Sequence, residues 1–143
     1  MMKLAEELAQ ELVEVALAIV PAGKPQRGLS KQELHTLREL KKHGSLRVGF
    51  LREKIDVLGA QMSRILNKLE KNQLIRRTIN EDDRRSLEIS LTNEGIRRIE
   101  TEIHEMVQKL VGSLSGVDAG DLRCSIATLQ RIRIADVKGN GKE

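Results

Sequence analysis

The sequence predicts a mainly α-helical fold carrying one small β-hairpin. Two observations in the 143-residue chain lead there. Apolar residues recur at helical spacing in several separate stretches. A single polar loop, NEDDRR at residues 80–85, lies between two short runs that suit strands.

Composition narrows what such a fold can do. Hydrophobic residues make up 39% of the chain but aromatics only 1%, Phe50 alone, so the core must be built from Leu, Ile, Val, Met and Ala. Single-stranded nucleic-acid modules stack bases on aromatic rings, and that class of function is thereby disfavoured. The net charge of +4 permits a polyanionic partner. Its distribution is more informative. Between residues 44 and 77, Arg47, Arg52, Lys54, Arg64, Lys68, Lys71, Arg76 and Arg77 outweigh Glu53, Asp56 and Glu70. The opening stretch is instead acidic, with Glu6, Glu7, Glu11 and Glu14 against Lys3. The lone Cys124 excludes an intramolecular disulfide and fits a reducing, cytoplasmic setting. Glu11 and Glu14 interrupt the apolar run nearest the start, which argues against a secretory signal, and nothing approaches the ~18 uninterrupted apolar residues of a membrane span.

In chain order, Leu4, Leu8, Leu12, Val15 and Ile19 form the stripe of a first helix that Pro21 ends. PAGKPQRG, residues 21–28, reads as a linker; its glycines lack the spacing and the Lys-Ser/Thr of a phosphate loop. Ser30-Lys31-Gln32-Glu33 is a capping box, in which hydroxyl and carboxylate each satisfy an orphan amide. The helix it starts buries Leu34, Leu37 and Leu40 and stops at Gly44. A short extended piece, 45–47, leads into a helix over 48–56, and Val57-Leu58-Gly59 turns the chain into the next one. Two short helices joined by a turn containing Gly form a helix-turn-helix.

The helix at LGAQMSRILNKLEK, 58–71, is the focus of the chain. Met62, Ile65, Leu66 and Leu69 follow the i, i+3, i+4, i+7 spacing of one buried face. Gln61, Ser63, Arg64, Asn67, Lys68 and Lys71 fall largely opposite, and none of the six is acidic. Amides, a hydroxyl and cations are the groups that read base edges and hold phosphates, although a solvated amphipathic face has the same composition.

Asn72-Gln73 breaks this helix, and LIRRTI (74–79) and SLEISL (86–91) read as strands. In the second, Leu87, Ile89 and Leu91 alternate with polar residues, so one face is buried. The loop between them is a wing carrying Arg84 and Arg85. Thr92 caps a long helix whose Ile96, Ile99, Ile103, Met106 and Leu110 suit a helix–helix seam. Residues 112–116 loosen the chain, Asp118 opens a last helix with Leu122, Ile126 and Leu129 on one face, and GNGKE is a frayed tail. The predicted fold class is therefore mainly α with a small β-hairpin wing: a winged helix-turn-helix domain at 29–95, flanked by an N-terminal helix and linker at 1–28 and C-terminal helices and tail at 96–143.

This arrangement resembles the MarR family of bacterial winged-helix regulators. LSKQELHTLREL is similar to the family's second helix, and LREKIDVLGAQMSRILNKLEKNQLIRR to its helix-turn-helix running into the first wing strand. INEDDRRSLEISLTNEG resembles the wing signature of an acidic-basic cluster, a strand and Leu-Thr-x-x-Gly. Two departures stand out. Leu58, Gly59 and Ala60 occupy the stretch where the family usually has a small polar cap, often Ser-Pro-Ser, and aromatics are nearly absent, unlike members that bind phenolic ligands.

The resemblance implies a homodimer joined by its terminal helices, through Leu4, Leu8, Leu12, Leu122, Ile126 and Leu129, with two recognition helices in successive major grooves of double-stranded DNA. In that setting Gln61, Arg64 and Asn67 face the groove, Arg64 as guanine reader and either amide as a candidate for adenine. Ser63, Lys68 and Lys71 hold phosphates, and Arg47 and Arg52 add backbone contacts or are simply solvated. At the wing, Asp82 or Asp83 pairs with one arginine and stiffens the loop, and the other arginine enters the minor groove. The implied function is a DNA-binding repressor released by a small effector. The rival is a winged helix that binds an acidic protein. No catalytic set is visible at an informative spacing, so an enzyme is not expected, and no cofactor is implied. His35, His43 and His104, with Cys124 or Glu102, lack metal-ligand spacing, and nothing in sequence marks Cys124 as a reactive thiol.

Overall fold

The computed structural model describes residues 3, 4, 6–8, 10–12 and 29–139, with side chains as far as 133. The described residues among 3–12 are helical. Val15, Ile19, the 21–28 linker and most of the expected C-terminal tail lie outside the described residues. The chain divides into two compact units, 1–106 and 107–143.

Within the first unit, α1 spans Lys31–His43, β1 Ser45–Arg47, α2 Val48–Ile55, α3 Gly59–Lys71, β2 Ile75–Ile79 and β3 Leu87–Leu91; α4, Asn93–Ser113, begins there and α5 spans Ala119–Gly139 in the second unit. The capping box forms as its spacing requires. The Glu33 amide donates to Ser30 Oγ at 3.1 Å and the Ser30 amide to Glu33 Oε2 at 3.0 Å. Gly44 ends α1 at a φ of 81°, in the region where a side chain is strained. Along α1, the buried Glu39 faces His35 Nε2 at 3.6 Å and His43 Nε2 at 3.5 Å, one turn away on either side.

The short extended piece at 45–47 turns out to be a strand of the sheet. β1 and β2 both pair antiparallel with β3, giving the order β1-β3-β2. Ile89 is the hinge of this sheet, with Leu46 opposite on one side and Arg77 on the other. Sequence alternation in β3 is only partly expressed: Ile89 is fully buried, whereas Leu87 is 41% exposed. Leu87 pairs in register with Ile79, itself exposed, at the base of the wing and beyond the reach of the core.

The core joins Leu37 and Leu40 of α1, Leu51 and Ile55 of α2, Met62, Ile65, Leu66 and Leu69 of α3, Ile75, Ile89 and Ile99. Fully burying an aliphatic side chain of this size stabilises by roughly 1.5–3 kcal/mol. No aromatic ring belongs to this core; Phe50 is half exposed, edge-on to His43 with Lys54 over its face.

The Leu-Thr-x-x-Gly segment is the joint between sheet and α4. The Thr92 amide donates to the Leu74 carbonyl at 3.1 Å, its hydroxyl donates to the Gln73 carbonyl at 2.6 Å and accepts from the Gly95 amide at 3.0 Å. A Cβ on Gly95 would stand 1.9 Å from the Leu74 carbonyl oxygen, so no side chain fits there. In the second unit, Asp118 caps α5 by accepting from the Gly120 amide. Ile126 and Leu129 stand exposed along that helix and Leu122 is half-buried.

Replacing Gly95 by alanine should cost about 2–3 kcal/mol, because the only relief is to part the helix from the Leu74 backbone. Urea unfolding checks this, with a midpoint well below that of the unaltered chain as the expected outcome.

Candidate nucleic-acid interface

The buried face of α3 decides which of its residues remain outside. Met62, Ile65, Leu66 and Leu69 are between 0% and 6% exposed. At 100° per residue, Arg64, Asn67 and Lys71 run along the opposite crest, Gln61 and Lys68 fall on one flank, and Ser63 and Glu70 on the other. Ser63, Arg64, Asn67, Lys68 and Lys71 are exposed and Gln61 is half-buried.

Each flank is fastened to a neighbouring element. Gln61 Nε2 donates to Gln32 Oε1 of α1 at 2.9 Å. Lys68 Nζ donates to Glu33 Oε1 at 2.9 Å, using the carboxylate oxygen that the capping box leaves over. On the other side, Arg77 of β2 donates from Nη2 to Asn67 Oδ1 at 2.6 Å, and its Nε lies 3.4 Å from Glu70 Oε2. Glu70, an acidic residue outside the set singled out from sequence, is thus exposed on α3 but matched by a cation. Ser63, Arg64 and Lys71 have no hydrogen bond or ion pair among the described residues.

The start of α3 lacks a side-chain cap. Leu58 occupies the N-cap position with φ −70° and ψ 155°, and its side chain is 80% exposed. The first amides of the helix are therefore open, and the Arg52 guanidinium lies beside them: Nη1 would be 3.7 Å from a Cβ placed on Gly59. Positive helix dipole and guanidinium add at one point, which suits an anion. Arg47 is exposed at the end of β1.

The wing is stiffened differently from the sequence expectation. Among the described residues neither Asp82 nor Asp83 forms an ion pair with an arginine. Asn80 Oδ1 instead accepts from the Asp82 amide at 2.8 Å, and Asp83 Oδ1 accepts from the Arg85 amide at 3.0 Å. The loop closes on itself through the Asn80 amide to the Ser86 carbonyl and the Ser86 amide to the Asp83 carbonyl. A backbone amide satisfies the Asp83 carboxylate, and the side chains of Arg84 and Arg85 are both exposed without a partner among the described residues. Glu88 ties the wing to the sheet, accepting from Asn80 Nδ2 at 2.8 Å and Ser45 Oγ at 3.2 Å. Asn80 was legible as the start of an Asn-x-Asp turn, whose amide oxygen bonds the backbone two residues on.

The remaining conspicuous residues do not gather. Among the described residues no three of His, Cys, Asp and Glu are placed to hold a metal ion, and Cys124 is exposed. No helix among them is long and apolar enough to cross a membrane.

Two substitutions test this geometry. Leu58→Ser supplies the missing cap and should stabilise the chain by about 1 kcal/mol, raising the thermal midpoint by a few degrees. Lys68→Met removes the charge facing Glu33 and should destabilise by about 1 kcal/mol, less than the roughly 1.5–3 kcal/mol of a charged hydrogen bond because Lys68 is half exposed. Thermal melts followed by circular dichroism read both.

A domain profile described as the MarR family matches residues 29–87. The chain is 34% identical over 101 residues to the HTH-type transcriptional repressor MdtR of Bacillus subtilis, a match covering 66% of this chain and 65% of that protein. It is 31% identical over 77 residues to the B. subtilis HTH-type transcriptional regulator YfiV, covering 54% of this chain and 48% of the relative. The chain thus spans between about half and two thirds of the length of these curated relatives. The crystal structure of the YusO protein from B. subtilis superposes with a TM-score of 0.70 at 26% identity, covering 93% of this chain and 96% of that one. The helix-turn-helix, the two-stranded wing and the glycine joint all lie within or beside residues 29–87, the segment that matches the MarR family.

Proposed function

We propose that this protein is a cytoplasmic transcriptional repressor that binds a palindromic double-stranded DNA operator as a homodimer. The observation that carries the proposal is the outer side of α3. Its crest offers the guanidinium of Arg64 and the ammonium of Lys71, neither paired among the described residues, and the acidic residue on its flank, Glu70, is matched by Arg77. Such a surface presents donors to guanine O6 and N7 and charge to phosphates with no built-in repulsion.

Arg64 is assigned as the guanine reader, with Gln61 and Asn67 beside it in the groove. Ser63 and Lys71 hold phosphates. Lys68, fastened to Glu33, acts chiefly by fixing the helix and adds its charge to the flank. Arg84 and Arg85, projecting from a loop braced by Asn80 and Asp83, enter or straddle the neighbouring minor groove, where narrow width concentrates negative potential. Arg52 and the open amides at Gly59 suit a backbone phosphate.

Pairing of two copies is supported by the exposed leucines and isoleucines on the terminal helices: Leu4 is 69% exposed, Leu8 43%, Ile126 54% and Leu129 48%. A two-fold dimer would bury these, with Leu12 and Leu122, and would set half-sites about 34–36 Å apart. Release by a small effector follows from the family resemblance alone.

Binding to a fluorescent duplex measured against salt tests the proposal. For a DNA-binding protein, affinity falls steeply, with a log–log slope of about −0.9 per phosphate neutralised. Removing both wing charges, Arg84→Ala with Arg85→Ala, should weaken every duplex and flatten that slope by about 2. Affinity unmoved by salt would overturn the proposal. Light scattering at micromolar concentration should give twice the chain mass; a monomer would rule out the palindromic arrangement.

A further inference from the structure

The contact between Arg77 and Asn67 has a chemical consequence for base reading. An asparagine amide is ambidextrous: it offers an acceptor oxygen and two N–H donors, and its bidentate partner in the major groove is adenine. A guanidinium has donors only. Whatever lies against it must be an acceptor, so the contact at 2.6 Å from Nη2 fixes the amide with Oδ1 toward Arg77 and leaves Nδ2 as its free end. The contact between Gln61 and Gln32 has no such force, because two amides pair equally well with both reversed.

Arg77 is not free to swing aside. It is half-buried, and its Nε is enclosed with Glu70 Oε2 3.4 Å away. Its backbone is held in register opposite the fully buried Ile89. Oδ1 retains a second lone pair, but two donors on one acceptor weaken each other, and the guanidinium charge repels an incoming N–H. Asn67 is exposed on the crest of α3, and among the described residues its Nδ2 donors make no hydrogen bond.

Building on the proposed DNA binding, we infer that Arg77 is a specificity-determining positioning residue: from the wing strand it converts Asn67 into a hydrogen-bond donor, so that Asn67 selects guanine or thymine rather than adenine. Guanine presents two acceptors, N7 and O6, and thymine O4 to such a donor, whereas adenine sets its N6 donor beside its single acceptor N7, so the second N–H of the amide meets a like group there. Cytosine presents only its N4 donor and is rejected as well.

Selection of bound duplexes from a randomised pool, run with the unaltered chain and three variants, tests this. Asn67→Ala identifies the operator position that Asn67 reads, as the one that loses its preference. At that position the unaltered chain should enrich guanine or thymine. Arg77→Met frees the amide and should raise adenine relative to guanine and thymine by about fivefold or more. Asn67→Asp keeps an acceptor toward Arg77 and turns a second acceptor outward, and should shift the preference to cytosine or adenine. Thermal melts of each variant, matched to the unaltered chain within a few degrees, separate a change of preference from loss of fold.

Adenine preferred by the unaltered chain at that position would overturn the inference. So would an unchanged base preference in a folded Arg77→Met variant, or no position responding to Asn67→Ala. If the unaltered chain enriches no sequence at all, DNA reading itself fails and the inference falls with it. That result is distinct from enrichment with the wrong base.

Discussion

Burial of one side of α3 is the constraint on which the rest of the molecule depends. Met62, Ile65, Leu66 and Leu69 fit among residues of α1, α2 and the sheet, and they leave no rotational freedom to the helix. Because the helical repeat is fixed, the choice of four inward residues is also the choice of the outward ones. Arg64 and Lys71 stand clear because the residues that could neutralise them fall elsewhere on the wheel. The polar flanks then lock what the apolar face has oriented. Gln32 and Glu33 hold one side, Arg77 the other. A reading surface needs this order of events. Hydrophobic burial is non-directional and supplies most of the stabilisation, while the flanking hydrogen bonds supply the angular definition that base recognition demands.

The capping box shows how one carboxylate serves two levels of structure. Glu33 Oε2 satisfies an orphan amide at the start of α1, which is local chemistry. Its Oε1 accepts from Lys68, 35 residues further along, which is tertiary chemistry. The same economy appears at Thr92, whose hydroxyl bonds forward to the Gly95 amide and backward to the Gln73 carbonyl. Through that threonine and the side-chain-free surface of Gly95, the end of α3, the wing strands and the start of α4 meet at one point. Rigidity of the wing base therefore does not rely on the wing loop, which is braced separately by Asn80 and Asp83 acting on backbone amides.

Much of this was legible in the sequence, and what was not has a common cause. The α3 face, the capping box, the Thr92 cap and the hairpin are encoded within about a turn or two of chain, where spacing alone fixes who meets whom. The departure of Leu58 from a polar cap was equally plain, and the helix does begin without a side-chain cap. The partners of Gln61, Asn67 and Lys68 were not legible, because they lie 29, 10 and 35 residues away on elements whose docking no periodicity specifies. The same holds for β1. Three residues carry too little pattern to announce a strand, and its pairing with β3 depends on the chain returning 43 residues later. At the wing, expectation favoured arginine against aspartate as the obvious charge match. The backbone won, since an amide two residues away is a closer and less entropically costly donor than a long side chain. Among the described residues the cationic tip therefore carries two unpaired arginines in place of the one expected.

The most direct test of the central claim is amide hydrogen exchange with and without a selected operator duplex. If α3 and the wing form the reading surface, protection on binding concentrates in residues 59–71 and 80–86 and leaves the far side of α1, around His35 and His43, unaltered. Protection centred on α1 or on α5, with 59–71 exchanging as in the free chain, would contradict it.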